Sequence, residues 1–312
     1  MSTPVPLPPL HAAGDLAVVA VPVTNLWRRP DAVGPLDPTM TGPHPDATAW
    51  ADGLDRDARL TLDGRLDTQL LLGEPVRVVA ERSGWTQVHA LWQPSGRAAE
   101  GYPGWVVSAH LTPVPDPTDE PGRVAVVVRG AVATLDGSDA HDGSERLPLS
   151  FGTVLPLLDP APADGFVRVG LPPGRTGWLP ATAVASLDEA FDPMVVLDRA
   201  RMFLALPYLW GGLSSAGTDC SGLVHLAYRA HGWMLPRDAD DQRHAAVALD
   251  SPEPGDLWFF GTEPSFASHV GFVGDDAKLL HAPGTGRGVE EVAMTPDRRA
   301  TLIAAARARP LG

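Results

Sequence analysis

The 312-residue sequence predicts an α+β fold: two small all-β barrels, then a domain that sets helices before an antiparallel sheet. Three observations predict it. The first is a series of short alternating strands separated by Gly and Pro turns over residues 15–187. The second is a weak internal repeat. Ser83-Gly-Trp85-Thr-Gln-Val88, followed by Gly101-Tyr-Pro-Gly-Trp105-Val, has a counterpart in Asp164-Gly-Phe166-Val-Arg-Val169, followed by Gly174-Arg-Thr-Gly-Trp178-Leu. The third is a change of pattern beyond Ser186. Pro193 to Leu206 and the stretch from Cys220 carry apolar residues at helical spacing. The strand-like runs LWFFG, HVGFVG, KLLHA and GVEEVAM then follow Asp256, with a last run through Ile303.

Residues 1–14 are Pro-rich and read as a loose arm, and residues 15–113 form the first barrel. From Leu16 a strand runs to a turn, and residues 30–66, dense in Pro, Asp and Gly, read as a long insertion with at most one short helix around Ala47 to Leu54. Thr68 to Ala80 and Trp85 to Leu91 alternate as strands. Residues 114–121 are a stiff polar linker, 122–187 the second barrel and 190–312 the α+β domain. Both barrels resemble bacterial SH3-like domains. Trp85, Trp105 and Trp178 could line a groove for Pro-rich peptides. Barrels this small draw much of their buried area from a few aromatics, so packing in the core or a domain interface is the expected role.

The composition narrows the function classes. Hydrophobic residues make up 44% of the chain, yet no apolar run reaches the roughly 18 residues of a membrane span, so a soluble globular protein without a membrane partner is expected. The apolar patch Leu16 to Val23 follows uncharged, Pro-rich sequence and Asp15. It lacks the basic start of a secretory signal, which makes a cytoplasmic location the expectation. The lone cysteine excludes intrachain disulfides and suits a reducing compartment. With 24 Lys and Arg against 38 Asp and Glu, the net charge of −14 disfavours a nucleic-acid partner and reads mainly as a solubilising surface.

The chemistry centres on Tyr208 to Val224, YLWGGLSSAGTDCSGLV, a glycine-rich loop opening into a helix at Cys220. Free N–H groups and the positive end of the helix dipole favour a thiolate there, so a lowered thiol pKa is expected. A cysteine nucleophile needs a base, and the base an orienting group. His225 is five residues along the same helix and points roughly 140° away, a poor partner. His269 opens the run His-Val-Gly-Phe-Val, and His281 lies on the next strand. If the two strands form a hairpin, His269 becomes the base and His281 its orienter. A zinc site of Cys220, His269, His281 and Asp256 is the competing arrangement, but no CxxC or HxxxH spacing supports it, and no metal or cofactor is expected.

These residues stand in a set of motifs: Tyr208-x-Trp-Gly-Gly, Asp219-Cys220-Ser221-Gly222, Leu235-Pro236-Arg237-Asp238 with Gln242, Pro254-Gly255-Asp256-Leu257, Ser268-His269-Val270-Gly271 and His281-Ala282. In them, residues 193–312 resemble the NlpC family of papain-like cysteine peptidases that cut peptidoglycan peptides. The resemblance implies a papain-like fold with Cys220, His269 and His281 as catalytic triad and Tyr208 at the border of the site. With two SH3-like units ahead of it, nearly the whole chain looks like the γ-D-glutamyl-L-diamino acid endopeptidases that recycle muropeptides in the cytoplasm. In that group the first SH3-like domain closes the cleft, so that only peptides with a free N-terminal L-alanine fit. The resemblance carries substrate binding to Glu74, Tyr102, Asp219 and Ser221. A solvated turn at Glu74 and a helix N-cap at Asp219 are the structural alternatives. Arg237 is open between a substrate carboxylate and a structural salt bridge, and Ala239 stands where relatives often carry serine. The rival readings are a secreted wall-lytic endopeptidase and a non-catalytic binder of wall fragments.

Overall fold

The computed structural model describes residues 16–114, 122–128, 130–135, 146–159, 164–187 and 190–309. The arm at residues 1–14 and nearly all of the 114–121 linker fall outside the described residues. The first unit is a seven-stranded antiparallel sheet. Its order is Leu66–Leu71, Val23–Trp27, Tyr102–Val107, Trp85–Ala90, Pro75–Arg82, Leu16–Val19, Leu111–Pro113. Leu26, Leu70, Val76, Val88 and Val106, from five of these strands, meet in one buried cluster, so the sheet curls around its own core. The second unit sets a four-stranded and a three-stranded sheet around Val124, Val126, Leu155, Val169 and Leu179, and Leu72 of the first unit inserts into that core.

The repeat read from the sequence is a repeat of backbone geometry. Ser83-Gly84 and Asp164-Gly165 take nearly the same left-handed angles, φ 50° and 82° against 51° and 81°. Two successive positive φ values match the twist of a tight hairpin. Trp105 then stands opposite Gln87, and Trp178 opposite Arg168, at equivalent registers. The tryptophans correct the expectation in part. Trp85 packs against the main core, whereas Trp105 and Trp178 stay half-buried because strand alternation turns them outward. The aromatic mass of the core comes from Trp27, Trp50 and Trp92.

Residues 30–66 are more ordered than a loop. They hold helices Pro38–Thr41, Ala47–Gly53 and Arg56–Leu60, the last two started by Asp46 and Asp55, whose side chains accept from Ala49 N and Ala58 N. Aspartates that read as loop formers are helix caps here. Met40, Trp50, Leu54 and Leu62 from this segment share one buried cluster with Phe203, Leu209 and Leu213 of the α+β domain. Trp50 also donates its indole N–H to buried Asp37 at 2.9 Å.

The α+β domain places helices Pro193–Arg201, Cys220–Arg229 and Ala239–Ala245 against a six-stranded antiparallel sheet. The sheet order is Val247–Ala248, Leu302–Arg307, Leu257–Phe260, His269–Val273, Lys278–His281, Glu290–Ala293. The first helix stops at Arg201, short of the predicted Leu206, and Ala205 at φ 65° turns the chain into the Tyr208 loop. Every residue of the Cys220 helix is buried, on all sides and not only along the Leu223, Leu226, Ala227 and Ala230 face.

Glu74, expected to hold a substrate ammonium, is fully buried at the junction of the first barrel and this helix. Its Oε2 accepts from Arg229 Nη1 at 2.8 Å and from Leu71 N at 3.1 Å, and its Oε1 accepts from Gln93 Nε2 at 2.7 Å. The Gly-Glu-Pro turn that looks solvated in isolation is covered by another domain, and its carboxylate is committed to Arg229. Glu74→Gln should leave a buried guanidinium without its counter-ion and cost about 3–5 kcal/mol. Equilibrium denaturation will measure it; unchanged stability with weakened substrate binding would return Glu74 to the site.

Candidate active site

The site begins with the loop that ends on Asp219. Tyr208 bridges to Thr218, and Leu213–Ser214 pairs with Gly217–Thr218, folding the loop back on itself. Asp219 then caps the Cys220 helix, its Oδ1 accepting from Gly222 N at 2.7 Å. Glycine is required at 222: a Cβ there would lie 2.5 Å from Gly212 O and 2.9 Å from Asp219 Oδ1, so a side chain would push the loop off the helix start.

Arg237 locks this corner. It is buried and meets Asp219 with two nitrogens, Nη1 to Oδ1 at 3.0 Å and Nη2 to Oδ2 at 2.8 Å. It also donates to Ser221 Oγ at 3.0 Å and, across the domain boundary, to Thr68 Oγ1 at 2.8 Å. Arg237 is therefore a structural salt bridge. Asp219 and Ser221 flank Cys220, but the Asp219 carboxylate is neutralised by this guanidinium and the Ser221 hydroxyl is held by it. The Asp219 charge is therefore already matched, whereas the Ser221 hydroxyl accepts from Arg237 and keeps its O–H to donate.

The two histidines meet as the hairpin reading required. Strands His269–Val273 and Lys278–His281 pair antiparallel, and His269 Nε2 lies 2.7 Å from His281 Nδ1 with the rings nearly perpendicular. The backbone N–H of Val270, next to His269, and that of Ser221 bond to the Cys220 sulfur. Strand start and helix start are thus in direct contact. His225 is buried away from this pair, bonded through Nδ1 to Leu235 O at 2.9 Å. Asp256, the fourth member of the zinc alternative, sits at the far end of its strand. Phe260 is the residue opposite His269, while Asp256 is bonded to Arg307 at 2.7 and 3.0 Å. That four-residue set is not assembled.

A carboxylate unseen in the sequence extends the histidine pair. Glu290 stands opposite His281 on the edge strand, its Oε1 lying 3.3 Å from His281 Nε2, and Arg287 Nη2 grips both Glu290 oxygens at 2.7 and 2.6 Å. A carboxylate can only accept, so His281 Nε2 carries a hydrogen and its Nδ1 is bare. His269 Nε2 must then donate, which leaves the Nδ1 lone pair of His269 unoccupied.

Burial sets the protonation states. The Cys220 thiol is pushed up to about 12, first by desolvation and then by the Asp219 charge, against the weaker opposing pull of the two N–H bonds and Arg237. The expected thiolate is overturned: the helix start favours it, but desolvation of a charged sulfur costs more. His269 is held well below the usual imidazole range by burial, by His281 and by Arg298, and His281 is lowered by burial and Arg298 despite Glu290. The resting pair is a neutral thiol and a neutral imidazole. Burial and the neighbouring Cys220 and Asp219 raise the Tyr208 phenol, so it remains a protonated donor beside the sulfur.

The first barrel supplies the far wall. Tyr102 is buried, and its hydroxyl donates to Asp238 Oδ2 at 3.0 Å, while Arg97 lies over its ring. Burial raises the Asp238 carboxyl, with Arg237 opposing. Asp67 stands on the other side: its Oδ1 meets Arg28 and Arg97, and its buried Oδ2 has no partner among the described residues. The carboxylates beside Tyr102 are Asp67 and Asp238, while Glu74 and Asp219 are committed to Arg229 and Arg237. Alternation along the Leu66–Leu71 strand and the Arg237-Asp238 motif were the available signals.

Comparison with known proteins agrees with this architecture. Residues 205–304 match the NlpC/P60 family and residues 61–111 the bacterial dipeptidyl-peptidase SH3 domain. The gamma-D-glutamyl-L-lysine dipeptidyl-peptidases of Bacillus cereus and Bacillus subtilis are each 36% identical to the chain, over 88% of its length and 85% and 92% of theirs. The crystal structure of an NlpC/P60 family protein from Bacillus cereus superposes with a TM-score of 0.86 at 31% identity, covering 95% of this chain and all of that one. A buried cysteine at a capped helix start, a histidine pair on the adjoining hairpin and a barrel across the cleft, with this likeness along nearly the full chain, make the protein a member of the NlpC/P60 family of cysteine peptidases.

Proposed function

We infer that the protein is an endopeptidase that hydrolyses the γ-D-glutamyl bond to a diamino acid in peptidoglycan-derived peptides with a free N-terminal L-alanine. The observation that carries this reading is that the N–H of Val270, next to His269, reaches the Cys220 sulfur, so that the run His269, His281, Glu290 begins beside the cysteine, with the first barrel across the cleft. Cys220 is the nucleophile, His269 the base and His281 its orienter. Glu290, held by Arg287, is a positioning residue that fixes the tautomer of both rings.

The sulfur attacks the γ-carbonyl carbon as its proton passes to the bare Nδ1 of His269. The imidazolium that forms is stabilised through His281 to Glu290. The oxyanion is met by the Cys220 backbone N–H, which has no partner among the described residues, and by the Tyr208 phenol. The C–N bond breaks as His269 returns the proton to the leaving amine. Water, deprotonated by His269, then attacks the thioester and releases the dipeptide acid and the thiol. The alanyl ammonium sits against Tyr102, Asp238 and the open oxygen of Asp67, since a cation losing its hydration needs carboxylate partners. An acylated amine would bring no charge and would collide with this wall.

The same reading assigns the enzyme to the cytoplasm, acting on small peptides recovered from the wall; the single reduced cysteine fits that compartment. Activity confined to intact walls, with none on L-Ala-γ-D-Glu-diamino acid, would favour the wall-lytic alternative.

Three outcomes are expected. Cleavage requires a free N-terminal amine: acetylating the alanine of the tripeptide should lower kcat/KM by about 10²-fold or more, the scale of a lost charged hydrogen-bonding partner in a buried site. Equal rates would remove the role of Asp67 and Asp238. Because the thiol is raised and the imidazole lowered, thiolate accumulates only as pH rises. Iodoacetamide alkylation of the substrate-free protein should therefore climb steadily from pH 7 to 9, whereas a plateau reached below pH 6 would mean a preformed thiolate–imidazolium pair. Glu290→Gln should cut kcat roughly 10-fold, a fraction of what general base catalysis supplies, and shift the pH profile of kcat with KM nearly unchanged.

A further inference from the structure

Tyr208 borders two spaces. One holds the Cys220 sulfur; the other is an open pocket of about 270 Å³ whose walls include Arg59, Tyr208, Gly286 and Arg287. Arg59 comes from the 30–66 segment, on helix Arg56–Leu60, and three backbone carbonyls fix its guanidinium. Nε donates to Leu54 O at 3.2 Å, Nη2 to Ala51 O at 2.6 Å and Nη1 to Tyr208 O at 2.9 Å. No carboxylate reaches ion-pair distance of it among the described residues; Asp52 acts on it only from further off. Two of its five N–H groups remain open. On the other wall Arg287 spends only Nη2 on Glu290, and Arg56 comes within reach of Gly286, where an added Cβ would lie 3.7 Å from its Nε. No acidic side chain lines the pocket.

A half-buried guanidinium held rigidly by carbonyls, with two donors unspent and an open pocket beside it, suits an anion of planar, forked geometry. The alanyl end of the peptide belongs at the Tyr102–Asp238 corner, beside Arg237. The pocket shares no residue with that corner and adjoins the reacting groups from elsewhere, through Tyr208 beside the sulfur and through Arg287, which holds Glu290 against His281. We propose that this pocket is the subsite for a carboxylate of the departing diamino acid, with Arg59 as its principal ligand and Arg287 as the second. The proposal rests on the endopeptidase reading above, and it gives the 30–66 segment a function: it delivers a cation to the leaving-group side of the cleft.

The test uses the full chain and compares kcat/KM on L-Ala-γ-D-Glu-L-Lys, on the same peptide with a C-terminal amide, and on L-Ala-γ-D-Glu-diaminopimelate. The wild type should prefer the carboxylated substrates over the amide by about 10-fold, the value of one charge-assisted hydrogen-bonded contact. In Arg59→Gln that ratio should fall toward one, whatever happens to the absolute rates, and Arg59→Lys should keep part of it. A fall confined to diaminopimelate assigns the pocket to its side-chain carboxylate, and a fall on both acids assigns it to the α-carboxylate. A wild type that cleaves all three equally well, or ratios to the amide unchanged for both acids in Arg59→Gln, would overturn the subsite while leaving the endopeptidase reading intact. A wild type inactive on all three would sink the reaction and the subsite together.

Discussion

The bidentate pair between Arg237 and Asp219 is the constraint on which the rest of the site depends. It is buried, and one guanidinium touches the helix cap that presents Cys220, the hydroxyl after it, the carbonyl of Gly212 and Thr68 in another domain. A buried ion pair is a weak source of net stability, since desolvation offsets much of its attraction and well-packed apolar residues often do as well. What it supplies is position. An apolar contact would tolerate a slip of the loop, but a guanidinium that must satisfy several fixed acceptors admits one arrangement of barrel, loop and helix. Cys220 is thereby registered against a wall from a different domain.

A second buried pair, Arg229 with Glu74, ties the last turn of the same helix to the same barrel. The Cys220 helix is thus clamped near both ends across the domain boundary, and the apolar cluster that surrounds it runs on into Trp27 of the barrel and Phe151 of the second unit. Phe151 meets Phe203 edge to face at 4.9 Å. The three units share one interior, so the first barrel is part of the cleft's wall in the way that a strand is part of its sheet. A tethered module free to swing away would not carry such contacts.

The legible parts of the molecule were those set by neighbours in sequence. The glycine loop, the capped helix and the histidine hairpin each follow from spacing within about twenty residues, where turn chemistry and periodicity are strong. Several of the misses involve contacts across domains. Glu74 lies in a turn that reads as solvated because its partner, Arg229, is 155 residues away. Asp46 and Asp55 look like loop residues until the helices they cap are packed against Phe203 and Leu209. Glu290 is the exception, since its register opposite His281 is local. Two successive glutamates on an edge strand read as a solvated face, and that bland pattern concealed the one whose side chain meets His281.

The sign of the thiol shift bears on how a buried cysteine can act at all. A preformed ion pair would require both a thiolate and an imidazolium in a site where burial opposes each, and the two N–H bonds and Arg237 at the sulfur offset only part of that cost. Keeping both partners neutral avoids that cost at rest and also protects the sulfur from oxidation, which requires thiolate. In the proposed mechanism charge separates only as the sulfur bonds to carbon. The negative charge would then pass to an oxygen met by the Cys220 N–H and Tyr208, and the positive charge would spread from His269 toward Glu290 and Arg287. The arrangement favours the transition state over either charged ground state, which is the condition for binding energy to accelerate a reaction.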